Sequence, residues 1–236
     1  MKIVKTIGCL ALLCVIICGC IAMAKRGDDA TKTPDEPPAG EANATPQPDS
    51  PGEGTEGEVT GSVTVAKKYS EGLKFRSNGD GTCALAGMGS CTASCVLIPP
   101  QSPAGDAVTE ILPYALKDSI VGAIELPTTV VTLSAASFAG CNRLAYVRVS
   151  AGNPAFAEED GVLYTADGTT LIYCPSGRSA TGLTLSARLS RIAAGAFADC
   201  TTLKTVSFAG TTSEWHNVIV GDDNDPLYAA TLRFGT

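Results

Sequence analysis

The stretch AASFAGCNRLAYVRV (Ala135–Val149) is written a second time, in altered letters, as AGAFADCTTLKTVSF (Ala194–Phe208). Phe138, Cys141, Leu144 and Val147 return as Phe197, Cys200, Leu203 and Val206, each 59 positions later. The correspondence extends without a gap from 123–149 onto 182–208, placing Leu126 on Leu185 and Leu133 on Ile192. Within the first copy, Ile124 and Leu126 return as Val147 and Val149, 23 positions on. The period is therefore near 23, and 59 is two periods plus an insertion. Upstream, VTEILPYALKDS (Val108–Ser119) reads as a weaker copy, with Ile111 and Leu116 where Leu133 and Phe138 stand.

A unit of this length cannot bury an apolar face alone, so units must stack, which is the logic of a solenoid. Alternation in LAYVRV (Leu144–Val149) and LKTVSF (Leu203–Phe208) predicts strands with one face inward. Pro99, Pro127 and Pro175 follow strand-like residues and end ladder pairing there. Phe138 and Phe197 should fill equivalent interior slots. The competing architecture is a β-sandwich of short strands, in which these segments would pack as facing antiparallel layers. Val162–Thr165 and Thr170–Tyr173 are β-rich and flank Ala166-Asp167-Gly168, which predicts a hairpin. It either widens one coil or projects as a lip.

The run Ala196-Phe197, Cys200, Leu203, Val206 resembles the leucine-rich repeat in its BspA-like bacterial form, with Ser137 replacing the Ala in the earlier copy. Leu73–Pro100 is similar to that family's first coil, Gly152–Gly177 to its recurrent hairpin insertion, and Gly210–Gly235 to its closing segment. The resemblance implies a mostly β fold: a short right-handed leucine-rich-repeat solenoid over residues 62–236. Its insertion falls at about 151–178 and its C-terminal cap at about 210–236.

The first twenty residues, MKIVKTIGCLALLCVIICGC, run from Lys2 and Lys5 through an apolar core to Gly19-Cys20. This is a secretory signal, and its apolar run is too short to span a bilayer comfortably. Its ending resembles the bacterial lipoprotein box, which implies a signal peptide at 1–19 and lipidation of Cys20. Several acyl chains on one residue give lasting attachment. The implied location is exported and lipid-anchored, at an outer membrane or cell surface. Residues 21–61 contain six Pro, six Gly and no aromatic residue, so they cannot offset their ordering entropy. Residues 20–61 thus read as a lipidated Cys and a disordered tether, with an r.m.s. span of roughly 35 Å. GEGTEG (Gly52–Gly57) matches G-x-G-x-x-G but lacks the preceding strand and following helix that a nucleotide site requires.

Net charge is −7, which disfavours nucleic acid as a partner. Most of it belongs to residues 21–61, with nine acidic and three basic residues. Ten cysteines are present, four of them in the first twenty residues. Cys141 and Cys200 lie two coils apart by the alignment, about 10 Å, beyond disulfide reach, and are expected as buried thiols. Cys83, Cys91 and Cys95 share the first coil, where one disulfide, free thiols or a metal site are the alternatives. His216, the sole histidine, follows Trp215; Trp215 is expected to cap the last coil's core and His216 to sit at its rim. GDDNDP (Gly221–Pro226) lacks calcium-loop spacing and reads as a solvated turn. No nucleophile-elbow motif, phosphate cradle or metal cage is legible, so neither catalysis, a metal nor a cofactor is expected.

Strand parity assigns Glu125, Tyr146, Arg148, Thr184, Thr205 and Ser207 to the outward sheet face. An aromatic, both charges and hydroxyls suit a protein or glycan partner. The resemblance implies adhesion, to host matrix or to other cells. The alternatives are an envelope assembly lipoprotein with a periplasmic partner, or an accessory or inhibitor domain for an enzyme.

Overall fold

The structure, a computed structural model, describes residues 67–235. The signal peptide, Cys20 and the tether lie outside the described residues. The chain from Lys67 onward winds into a mostly β solenoid of about six coils. Each full coil contributes a strand to one row and a strand or bridge to a second row across the core.

The first row holds β3 (Cys95–Leu97), β5 (Ala123–Leu126) and β6 (Tyr146–Val149), then β10 (Gly182–Leu185), β12 (Thr205–Phe208) and β14 (Thr231–Phe234). All pairings in it are parallel, with Ile124 beside Val147 and Leu183 beside Val206, the 23-residue period of the sequence. Parallel neighbours one period apart exclude the sandwich. Ile124, Val147, Leu183 and Val206 point inward and are buried. The second row holds β2 (Thr82–Gly87) and β4 (Ala107–Ile111), extended by a bridge from Glu110 to Thr132. Further along it runs β9 (Thr170–Tyr173), β11 (Arg191–Ile192) and β13 (Ile219–Val220). β1 (Lys74–Ser77) folds back antiparallel on β2. This antiparallel start is absent from the sequence reading, because its strand lies ahead of the repeat's spaced letters.

The weaker copy stacks as a true coil. Ile111 and Leu116 are buried, and the Tyr114 and Leu116 amides donate to the Ala136 and Ser137 carbonyls of the next coil at 2.8 and 3.0 Å. Tyr114 pays for its place with a φ of 64°, in the left-handed region a bulky side chain avoids. The same point of later coils is Gly195 (φ 69°) and Asp223 (φ 58°). Tyr114→Gly relieves that strain, partly offset by unfolded-chain entropy and an exposed Lys117 contact. Chemical denaturation should show a gain of about 0.5 kcal/mol; a loss would mean the repeat tolerates this backbone without strain.

The hairpin has the predicted strands, β8 (Val162–Thr165) and β9, preceded by β7 (Phe156–Glu159) in an antiparallel meander. Asp167 closes its turn, its Oδ1 accepting from Thr165 Oγ1 (2.6 Å), Thr169 N (3.0 Å) and Thr169 Oγ1 (2.9 Å). It does not project. β9 pairs antiparallel with β8 and parallel with β11, so the insertion supplies a coil of the solenoid. Its two faces feed two cores: Leu163 and Tyr173 join the N-terminal cluster, Val162, Tyr164 and Leu171 the C-terminal one. The Phe138 and Tyr173 rings stack with centroids 4.6 Å apart. Phe138 and Phe197 are both fully buried.

The hairpin also splits the first row. The free edge of β6 is met by the Gly161 carbonyl, which accepts from Val147 N at 3.0 Å, so β6 does not pair with β10. The chain returns through Gly177, whose amide donates to Leu144 O at 2.8 Å. A Cβ on Gly177 would lie 2.4 Å from the Arg143 carbonyl carbon, so only glycine permits this crossing.

At the C-terminal end, α1 (Thr212–Trp215) is opened by a reciprocal cap between Thr211 and Glu214. Trp215 meets Phe208 edge-on at 5.2 Å, and Phe234 at 6.4 Å, covering the last coil as expected. α2 (Asp225–Ala229) and β14 complete the cap.

Candidate functional site

The six outward positions fall into two groups. Glu125, Tyr146 and Arg148 stand on the β5–β6 half-row, where Arg148 is the register neighbour of Glu125 and Tyr146 that of Ala123. Thr184, Thr205 and Ser207 stand on the β10–β12 half-row, where Thr184 pairs with Ser207 and Thr205 with Gly182. All six are exposed or half-exposed, as parity predicts. The single continuous face implied by the repeat is corrected: the insertion separates the two groups, because its Gly161 backbone takes the edge of β6.

The first group is held by its neighbours. Glu125 Oε1 accepts from Lys67 Nζ at 2.5 Å and from Ser150 Oγ at 3.1 Å. Tyr146 leaves 42% of its surface exposed while its ring edge rests against the β7–β8 turn at Gly161. Gly161 permits that approach: a Cβ there would sit 2.8 Å from Tyr146 Cδ1. Glu158 of β7, unread in the sequence, belongs to this surface and accepts from Gly161 N at 3.0 Å. Burial pushes the Glu158 carboxyl up, while the Gly161 N–H and the nearby Arg148 charge pull it back. Arg178 donates to the Asp160 carbonyl on the same side. The result is an exposed tyrosine framed by fixed charges of both signs.

The second group is sparser and continues onto β14, where Thr231 and Arg233 follow Thr205 and Ser207 in register. Reading 210–236 as a cap hid these two. The signal was alternation in Thr231–Phe234, whose exposure pattern matches that of an ordinary repeat strand.

The other sequence candidates disperse. His216 is exposed at the rim of the cap. In Gly221–Pro226 the three aspartates are exposed but Asn224 is buried, at 1% exposure, which corrects the reading of the segment as wholly solvated. Its Oδ1 accepts from Phe197 N, and its Nδ2 faces the Ala193, Gly221 and Asp222 carbonyls. Its side chain thus takes the place of a further coil's backbone. Among the described residues no group of three or more His, Cys, Asp or Glu side chains is placed to hold a metal ion. No helix among them is long and apolar enough to cross a membrane.

Cys141 and Cys200 are buried thiols. Each donates to a carbonyl of the preceding coil: Cys141 Sγ to Leu116 O at 2.9 Å, Cys200 Sγ to Cys174 O at 3.0 Å. Burial raises the Cys141 thiol, opposed by its contact with Ser119. Cys83 and Cys91 are thiols, so no disulfide joins two of the three first-coil cysteines. Cys83 is buried and pushed up by desolvation, and its sulfur lies 3.6 Å from Asp106 O.

No family model and no curated protein matches this chain. Among solved structures it is similar to a leucine-rich repeat protein from Eubacterium ventriosum at 19% identity and a TM-score of 0.39, covering 53% of this chain and 39% of that one. A leucine rich cell surface protein from Faecalibacterium prausnitzii is similar at 22% identity and a TM-score of 0.35, over 54% of this chain and 37% of that one. A T. pallidum leucine-rich repeat protein is similar at 16% identity and a TM-score of 0.41, over 66% of this chain and 82% of that one. This chain therefore spans well under half the length of the first two. The solenoid itself is defined by the chain's own parallel register at the 23-residue period.

Proposed function

We propose that this chain is a BspA-like leucine-rich-repeat lipoprotein, held at a bacterial surface through Cys20, that binds a protein or glycan partner. The reading puts adhesion to host matrix or to other cells first. It is carried by the framed tyrosine: Tyr146 is 42% exposed, with Glu125 and Glu158 held by hydrogen bonds and Arg148 on the same face. Tyrosine offers large contact area with few torsions to freeze, and preordered charges lower the cost of orienting a partner. The tether's composition supports display away from an anchor.

Binding of the full chain to a panel of matrix proteins and glycans tests this. Saturable binding that falls at least tenfold with Tyr146→Ala/Arg148→Ala is the expected result. Binding that ignores the double change would remove this surface from the account. Protease treatment of intact cells tests display: digestion supports surface exposure, and protection until lysis favours an envelope assembly role with a periplasmic partner.

A further inference from the structure

Cys174 is the cysteine that the 59-residue correspondence passes over, because it lies in the insertion. The fold brings it to Cys200. The Cys174 amide donates to Ala196 O of the following coil at 2.9 Å, and Cys200 Sγ lies 3.0 Å from Cys174 O. Both thiols line one shallow crevice with Pro175, Arg178, Thr202 and Leu203. Neighbouring coils stack about 4.8 Å apart, which puts the two cysteines on adjoining turns, and a disulfide between them needs Cα atoms within about 7 Å.

The molecule contains its own comparison. Cys141 occupies the Cys200 slot two coils earlier and makes the same bond to the preceding coil's carbonyl. There the residue across the bond is Leu116, which carries no thiol. The Cys174–Cys200 step instead carries a thiol on both sides of that bond.

We propose that Cys174 and Cys200 form an inter-coil redox site that closes to a disulfide when the protein meets a disulfide-class oxidant. The proposal is independent of the binding role. The Cys174 thiolate attacks one sulfur of the oxidant and expels the other as a thiolate. Cys200 then gives up its proton, displaces the oxidant's remaining thiolate and forms the Sγ–Sγ bond. Two protein thiols lose two protons and two electrons, and the oxidant's disulfide becomes two thiols. The order follows from the local charges: the Cys200 thiol's hydrogen bond and the Arg178 guanidinium favour a thiolate on Cys174, while Cys200 retains its proton. Both side chains are nearly buried, so closure proceeds through local opening of the crevice. The new bond would tie the insertion's return to the coil after it, across a separation of 26 residues.

The test equilibrates the full native chain with glutathione disulfide, alkylates the remaining thiols and maps tryptic peptides without reduction. The expected product joins Val149–Arg178 to Ile192–Lys204, two hydrogens lighter than their sum. The oxidised protein should melt several degrees higher, and reductant should erase the shift. Cys174→Ala and Cys200→Ala should each abolish both signals. The map is read on the unaltered chain, so a variant that fails to fold does not weaken it. Recovery of both cysteines as thiols, of separate glutathione adducts, or of Cys200 joined to Cys141 would overturn the proposal.

Discussion

Phe138→Ala should cost about 3–5 kcal/mol, a large share of the roughly 5–15 kcal/mol that holds a typical domain together. The ring is fully buried and stacks on Tyr173 at 4.6 Å. Its loss opens a cavity where the N-terminal core meets the insertion, and removes a ring–ring contact worth about 0.5–1.5 kcal/mol beyond area. Tyr173 belongs to β9, the strand that pairs with both β8 and β11. The damage should therefore reach both cores. Denaturant unfolding with two probes measures it, Trp215 fluorescence for the C-terminal half and circular dichroism for the whole. Phe138→Leu should retain most of the stability. A cost below about 1 kcal/mol for Phe138→Ala would mean the ring does not bridge the coils, and the stacking account would go with it.

Asn224→Ala should cost about 3 kcal/mol, concentrated at the C-terminal end. Its side chain accepts from the Phe197 amide and faces three backbone carbonyls. Removing it leaves a buried donor without an acceptor, at about 1–3 kcal/mol, and loosens the carbonyls around it. Hydrogen exchange locates the effect: the Phe197 amide should lose protection together with β13 and β14. Exposed Asp225, one residue on, is the control, and Asp225→Ala should stay within about 0.5 kcal/mol. Protection of Phe197 in Asn224→Ala equal to that in the native chain would show that the cap closes without this side chain.

Much of this fold was legible in a few letters. The 59-residue echo and the 23-residue step within it set Ile124 beside Val147, and the same step pairs Leu183 with Val206 in the second copy. Alternation assigned Glu125, Tyr146, Arg148, Thr184, Thr205 and Ser207 outward, and turn chemistry gave β8 and β9 their bounds. The sequence leaves the insertion open between widening a coil and projecting as a lip, because β propensity alone does not choose between them; the structure builds it into the solenoid. VLYT and TLIY are nearly continuous apolar runs, the mark of a strand buried on both faces, and that signal was available. Glu158 was missed for a different reason. Nothing in its own strand indicates that β7 comes to rest beside β6.

The amino-acid order by itself determined the repeat, its length and which side of each strand faces inward, since these depend on spacing along one chain. Only the tertiary structure decided which coils touch where the insertion interrupts the repeat. That choice turns on where the inserted residues go. By taking the edge of β6, the hairpin divided the outward face in two, placed Tyr173 on Phe138 and brought Cys174 to Cys200. Parity is a local property of the backbone, whereas adjacency is settled by the burial of an apolar hairpin that could be satisfied only between two existing cores.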